Sequence, residues 1–288
     1  MVNKRFSQTA ERWKNPSLPV EKDQQTTTKN PITKTNFSSD VNNSFIFSYD
    51  GPNGDFAQEL ISKHNKVYSG TRAEIPTGSL GEIQGHLIKR LGLITTIYNN
   101  PQLKSANLWP ITPTQSEILL KAEKLTNPRD NREDLGMVLY DRSQKGNNPK
   151  EAQAIYESLK KHRQDLGLSQ SDLENKLIIV NAGAEVDSSM PHGVRPIVLL
   201  GLTQVYQHEV LEKVGEDPEF DGYGLNGGLP LINQLGDGDR TLYMPDETKD
   251  IGLRVLYRGG GLGLFAGDWV LVYSSGGGRV NFARSASP

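Results

Sequence analysis

The chain has 288 residues, with 32 basic and 34 acidic side chains and a net charge of −2, so it has neither a field that gathers nucleic acid nor a dominant acidic tail. It contains no cysteine, which excludes disulfides, thiolate nucleophiles, Cys-ligated zinc and iron–sulfur clusters. No apolar run approaches the roughly 18–20 residues of a membrane span, and the N-terminus lacks a secretory apolar region. The expectation is a cytoplasmic protein with no membrane partner.

Residues 1–43 are rich in Lys, Thr, Asn, Gln, Ser and Pro, show no sustained period, and read as a disordered tail. Ser44-Phe-Ile-Phe-Ser-Tyr49 reads as a strand, stopped by the turn residues Asp50-Gly-Pro-Asn-Gly54. A helix follows from Asp55, with Phe56, Ala57, Leu60, Ile61 and His64 on one face. A second helix is expected from Ser79, where Ser79-x-x-Glu82 has the form of a capping box and Leu87, Ile88 and Leu91 belong to the buried face. The β-branched run Leu93-Ile-Thr-Thr-Ile-Tyr98 reads as a strand ending at Asn99, and Thr112-Pro-Thr-Gln115 opens the next helix with a second capping box. The pattern then repeats, with a strand at 135–140, a polar break at Asp141 and a helix after Asn148-Pro149 that Gly167 stops.

Lys176-Leu-Ile-Ile-Val-Asn-Ala-Gly-Ala-Glu-Val-Asp187 is a short, continuously apolar run that ends in small and polar residues. A strand apolar on both faces needs cover on both sides, which suggests a parallel sheet between helices. Arg195–Leu200 reads as a further strand and Thr203–Lys213 as a helix. The fold class expected is therefore α/β over residues 44–214, a mostly parallel sheet with helices on both faces.

Residues 215–288 change in style. Nine acids and two bases, Arg240 and Lys249, fall between Glu216 and Asp250 among Gly, Asn and Pro. Beyond them, Ile251–Arg258 alternates apolar residues with Arg254 and Arg258, and Trp269–Tyr273 and Arg279–Phe282 flank a Gly-rich stretch with the form of a hairpin loop. This region is expected to be a small Gly-rich β module or an antiparallel extension of the sheet. The glycines at 259–263 do not fit a dinucleotide loop, because a strand rather than a helix N-terminus follows them. Asp217-Pro-Glu-Phe-Asp-Gly222 copies only the first half of a calcium loop.

In a parallel sheet the residues leaving the strand ends would meet at one edge: Asp50, Asn53, Asn99, Asp141, Asn181, Glu185 and Asp187. Carboxylates among amides suit a hydrated Mg²⁺ or Mn²⁺ holding a phosphate, or direct binding of a polar ligand, and the same residue types also make turns after strands. His192 and Arg195, in the loop after Asp187, would contact an anionic ligand. Asp50-Gly-Pro-Asn53 resembles the Asp-Gly-x-Asn start of the NYN/PIN-like nuclease families, in which acidic residues at successive strand ends bind metal. The overlap is four residues, and the resemblance implies Asp50, Asp141 and Asp187 as catalytic metal ligands. Two functions follow as expectations: a small polar or phosphorylated ligand bound at the strand ends with metal-assisted phosphoester hydrolysis, or a non-enzymatic interaction protein whose tail and C-terminal β region hold protein partners.

Overall fold

The computed structural model describes residues 41–46, 54–76, 86–125, 128–129, 132–247, 249, 251–268, 270–272 and 278–285. The expected tail up to residue 40, the Ser79–Glu82 capping box, and Asp50 and Asn53 lie outside them. The first elements are β1 (Val41–Ile46), α1 (Gly54–Tyr68), α2 (Leu87–Tyr98), α3 (Pro101–Ser105), β2 (Leu108–Pro110) and α4 (Pro113–Lys121). β3 (Glu133–Leu139), α5 (Pro149–Lys161), β4 (Leu177–Val180), β5 (Gly183–Val186), β6 (Val194–Ile197) and β7 (Gln204–Tyr206) follow. The chain continues with β8 (Glu219–Phe220), β9 (Arg240–Tyr243), β10 (Leu253–Arg258), β11 (Leu264–Asp268) and β12 (Asn281–Ser285).

Seven strands form the main sheet in the order β7-β4-β3-β10-β11-β9-β8, and every neighbouring pair is antiparallel except β9 with β11. The expected mostly parallel sheet with helices on both faces is therefore overturned. The two-sided burial from which it was inferred is present, but its cover differs. Leu177 and Ile179 of β4 face a core shared with Ile155 and Leu159 of α5, while Ile178 and Val180 face Val210, Leu211, Phe220 and Leu229. That second cover is a 3-10 turn at Glu209–Glu212, the two-residue β8 and the loop around Leu229, so burial on both faces did not require a second helical layer. The run 176–187 is also two strands. Asn181 takes left-handed backbone, φ 54°, a conformation Asn tolerates better than most residues, and the chain turns out of the main sheet into β5.

The C-terminal region belongs to the same sheet, because β10 pairs with β3 on one side and β11 on the other. Residues Gly259–Gly263 close the β10–β11 hairpin, with the Gly259 N–H donating to the Gly263 carbonyl at 2.9 Å. β12 pairs with β1 and β2 in a separate three-stranded sheet, and residues 269 and 273–277 of the expected hairpin lie outside the described residues.

Leu93–Tyr98, expected as a strand, is the second half of α2. Nearly all of this helix is buried: Leu87, Ile88 and Leu91 enter the core with β3 and α5, while Leu93, Ile94 and Ile97 pack with α1. A helix apolar around its circumference is stable when enclosed, and here that enclosure outweighs the strand preference of Ile and Thr. The Thr95 and Thr96 hydroxyls donate to the carbonyls of Leu91 and Gly92, which satisfies them inside the helix. Thr203–Lys213, expected as a helix, is instead β7 followed by the 3-10 turn. α1 and α4 match their expected starts, and at α4 the Thr112–Gln115 capping box is reciprocal: Gln115 N–H to Thr112 Oγ1 at 3.2 Å, Thr112 N–H to Gln115 Oε1 at 2.9 Å.

A set of buried charges ties these layers together. Glu133 of β3 accepts from the Asn281 backbone N–H and side-chain amide, each at 2.9 Å, and lies 3.6 Å from Arg258 Nη2. Asp134 accepts from the Leu87 N–H at the start of α2 at 2.7 Å, and Arg132 bridges Asp134 and Asp268. Burial pushes the Asp134 carboxyl up to about 6 despite the opposing Arg132.

Candidate functional site

α5 starts at Pro149, a residue whose fixed φ suits a first helical turn, and turns Ala152, Ile155, Tyr156 and Leu159 into the core. At the helical period, Lys150, Gln153, Ala154, Glu157, Ser158 and Lys161 then fall on another face. Across from this face stands the β5–β6 hairpin. In β6 Val194 and Pro196 are buried, whereas Arg195 and Ile197 point the other way, and Arg195 is the cross-strand partner of Glu185. Between the helix face and the hairpin runs an open trough of about 750 Å³, lined also by Gln144, Met190, His162 and Val198. The span from Lys150 to Lys161 makes it about 16 Å long at 1.5 Å per residue.

Its walls are fixed at both ends. Ser158 Oγ accepts from the Val198 N–H at 2.8 Å, and Lys150 Nζ donates to the Ser189 carbonyl at 3.1 Å. The hairpin tip is held from within by Asp187, whose Oδ1 accepts from the Ser189 N–H and hydroxyl at 2.9 and 2.6 Å and whose Oδ2 receives Arg195 Nε at 2.9 Å. The Ser189 bonds, then Arg195, hold the Asp187 carboxyl down at about 2. Farther along the tip, the Arg72 N–H donates to the His192 carbonyl at 3.1 Å, and Gly193 at φ +73° lies over Thr71. His192 Nε2 is 3.7 Å from Glu151 Oε1, a buried oxygen that makes no hydrogen bond. His86 lies close by, its ring driven down to about 3 by burial and then by Lys89, His192 and Arg72.

Of the residues singled out from sequence, the structure brings Glu185, Asp187, His192 and Arg195 onto one hairpin, with Glu185 and Arg195 in the trough wall. Asn181 sits buried before β5, its carbonyl accepting from Thr203 Oγ1. Asn99 is the C-cap of α2. Asp141 leaves β3 and accepts from the N–H groups of Ser143 and Gly252, at 2.8 and 3.0 Å, which fastens the strand end to the start of β10. Asp50 and Asn53 lie outside the described residues. No group of three or more His, Asp or Glu among the described residues is placed to hold a metal ion.

The helix wall went unrecognised in the sequence. Lys150, Gln153, Glu157 and Lys161 form a polar stripe at helical spacing beside a buried one, a pattern that any solvent-facing helix shares. Among the described residues, no helix is long and apolar enough to cross a membrane. Comparison with family models, with curated proteins and with solved structures finds no match to this chain.

Proposed function

We propose that this protein binds a small polar organic molecule in the trough between α5 and the β5–β6 hairpin. The observation that carries this reading is the trough itself: about 750 Å³, within the roughly 300–1,000 Å³ usual for ligand sites, with apolar groups interleaved with a few charged ones. Ala154, Met190, Ile197 and Val198 supply apolar surface, and Lys161, Glu185 and Arg195 supply charge. Both walls stand on regular elements pinned to each other, which lowers the ordering cost of binding.

The reading is one of binding. Metal-assisted hydrolysis draws no support from Asp141 and Asp187, whose oxygens are engaged in turn hydrogen bonds and, at Asp187, with Arg195. The test is a thermal-shift screen of polar metabolite classes on the protein and on Ala154→Trp, which adds a bulky side chain to the helix wall of the trough. The expected result is a rise in melting temperature with at least one class that Ala154→Trp loses while retaining its own unliganded melting temperature. A rise retained in Ala154→Trp would place binding elsewhere and overturn the reading.

A further inference from the structure

Most of the charged groups around the trough are already spent within the protein. Arg195 is paired with Asp187, Lys150 holds the Ser189 carbonyl, and Glu157 Oε1 accepts from the Gln153 amide at 2.8 Å. Two are not: among the described residues, the Glu185 carboxylate on the hairpin and the Lys161 ammonium on the helix form no ion pair or side-chain hydrogen bond. They carry opposite charge and stand on opposite walls, yet they do not pair with each other. Ala154 on the helix wall and Ile197 on the hairpin wall add apolar surface to the same trough.

Resting on the reading of the trough as a ligand site, we infer that its ligand is zwitterionic: a short peptide with apolar side chains, its N-terminal ammonium at Glu185 and its C-terminal carboxylate at Lys161. A ligand with a single charge would satisfy one wall and leave the other ion to be partly desolvated without a partner, which costs free energy. A zwitterionic peptide satisfies both, and its apolar side chains meet the apolar lining at Ala154 and Ile197. Charge-assisted hydrogen bonds are the stronger kind, so each end should account for about a 10- to 100-fold difference in affinity. A phosphorylated sugar, by contrast, has no cationic group and leaves Glu185 without a partner.

The experiment is titration calorimetry of the full chain with leucyl-leucine, its N-acetylated form, its C-terminal amide, and glucose 6-phosphate. The expected result is binding of the free dipeptide and a loss of about tenfold or more with either blocked form. Glu185→Gln should erase the penalty for N-acetylation, and Lys161→Gln the penalty for amidation. Both positions are exposed, so the variants should fold, and circular dichroism checks that they do. Equal binding of free and blocked dipeptides, or binding of the sugar phosphate in place of the dipeptide, overturns the zwitterion assignment and leaves the trough as a site. Absence of heat from all four probes overturns the assignment as well, and the thermal-shift screen with Ala154→Trp then decides separately whether the trough binds anything.

Discussion

Arg240 of β9 grips Glu117 of α4 with two parallel bonds, Nη1 to Oε2 at 2.6 Å and Nη2 to Oε1 at 2.9 Å, and both side chains are buried. The same carboxylate accepts from the Gly224 N–H, and Arg240 also donates to the carbonyls of Leu262 and Gly222. Four distant segments therefore depend on one pair. Glu117→Gln leaves a buried guanidinium without its counter-ion and should cost about 3–5 kcal/mol. Glu216→Gln removes an exposed pair with Lys213 and should cost about 1 kcal/mol or less. Urea denaturation of both variants checks the contrast.

Asp134 makes stability depend on pH. Its folded pKa, raised by burial to about 6, lies above the roughly 3.9 of an unfolded Asp, so the folded state binds the proton more tightly. Its contribution to stability is thus fully present below about pH 4 and lost as the pH rises through about 6. His86 and His208, both depressed by burial, act in the opposite sense: their contribution is present above about 6.5 and lost as the pH falls. The total profile mixes these trends, so the comparison with Asp134→Asn is the informative one. Stability of the parent minus that of the variant, followed by denaturation, should decline between pH 4 and pH 6 and be flat above 7.

Gly92 lies in the middle of α2, where an Ala would ordinarily stabilise a helix by about 0.5–1 kcal/mol. Here the sign should reverse. A Cβ at this position would sit 2.6 Å from His64 Cε1, and that ring cannot readily give: Nε2 is 2.8 Å from the Ala73 carbonyl, and the ring stacks on Tyr68 with centroids 4.6 Å apart. Gly92→Ala should therefore destabilise by about 1–3 kcal/mol, the usual cost of overpacking. A melting temperature above that of the parent would show that α1 and α2 are less tightly apposed.

What could be read from the chain alone was what local chemistry decides. The Thr112–Gln115 box, the Pro149 helix start and the buried face of α1 are settled within a few residues, and they stand as expected. The Leu93–Tyr98 stretch was not readable, because its helical state comes from enclosure between two cores that assemble from distant segments. Strand direction was not readable either. Ile178 and Ile179 announce burial on two sides, but the pattern is the same whether a helix or an irregular loop covers the second face. At the site, Glu185 stood out as a polar residue at a strand end and Arg195 as a basic residue in the loop after Asp187, whereas Lys161 and Glu157 became wall residues only once α5 was packed against β6.

The most direct measurement is a backbone-amide NMR titration of the full chain with leucyl-leucine. The proposed site predicts saturable chemical-shift changes concentrated in residues 150–162 and 183–198, with the Glu185 and Lys161 amides among them. The amide of Gly252, which does not line the trough, should be unmoved. Shift changes that saturate elsewhere, or none across the trough at any concentration of the dipeptide, would contradict the assignment of this ligand to the α5–hairpin trough.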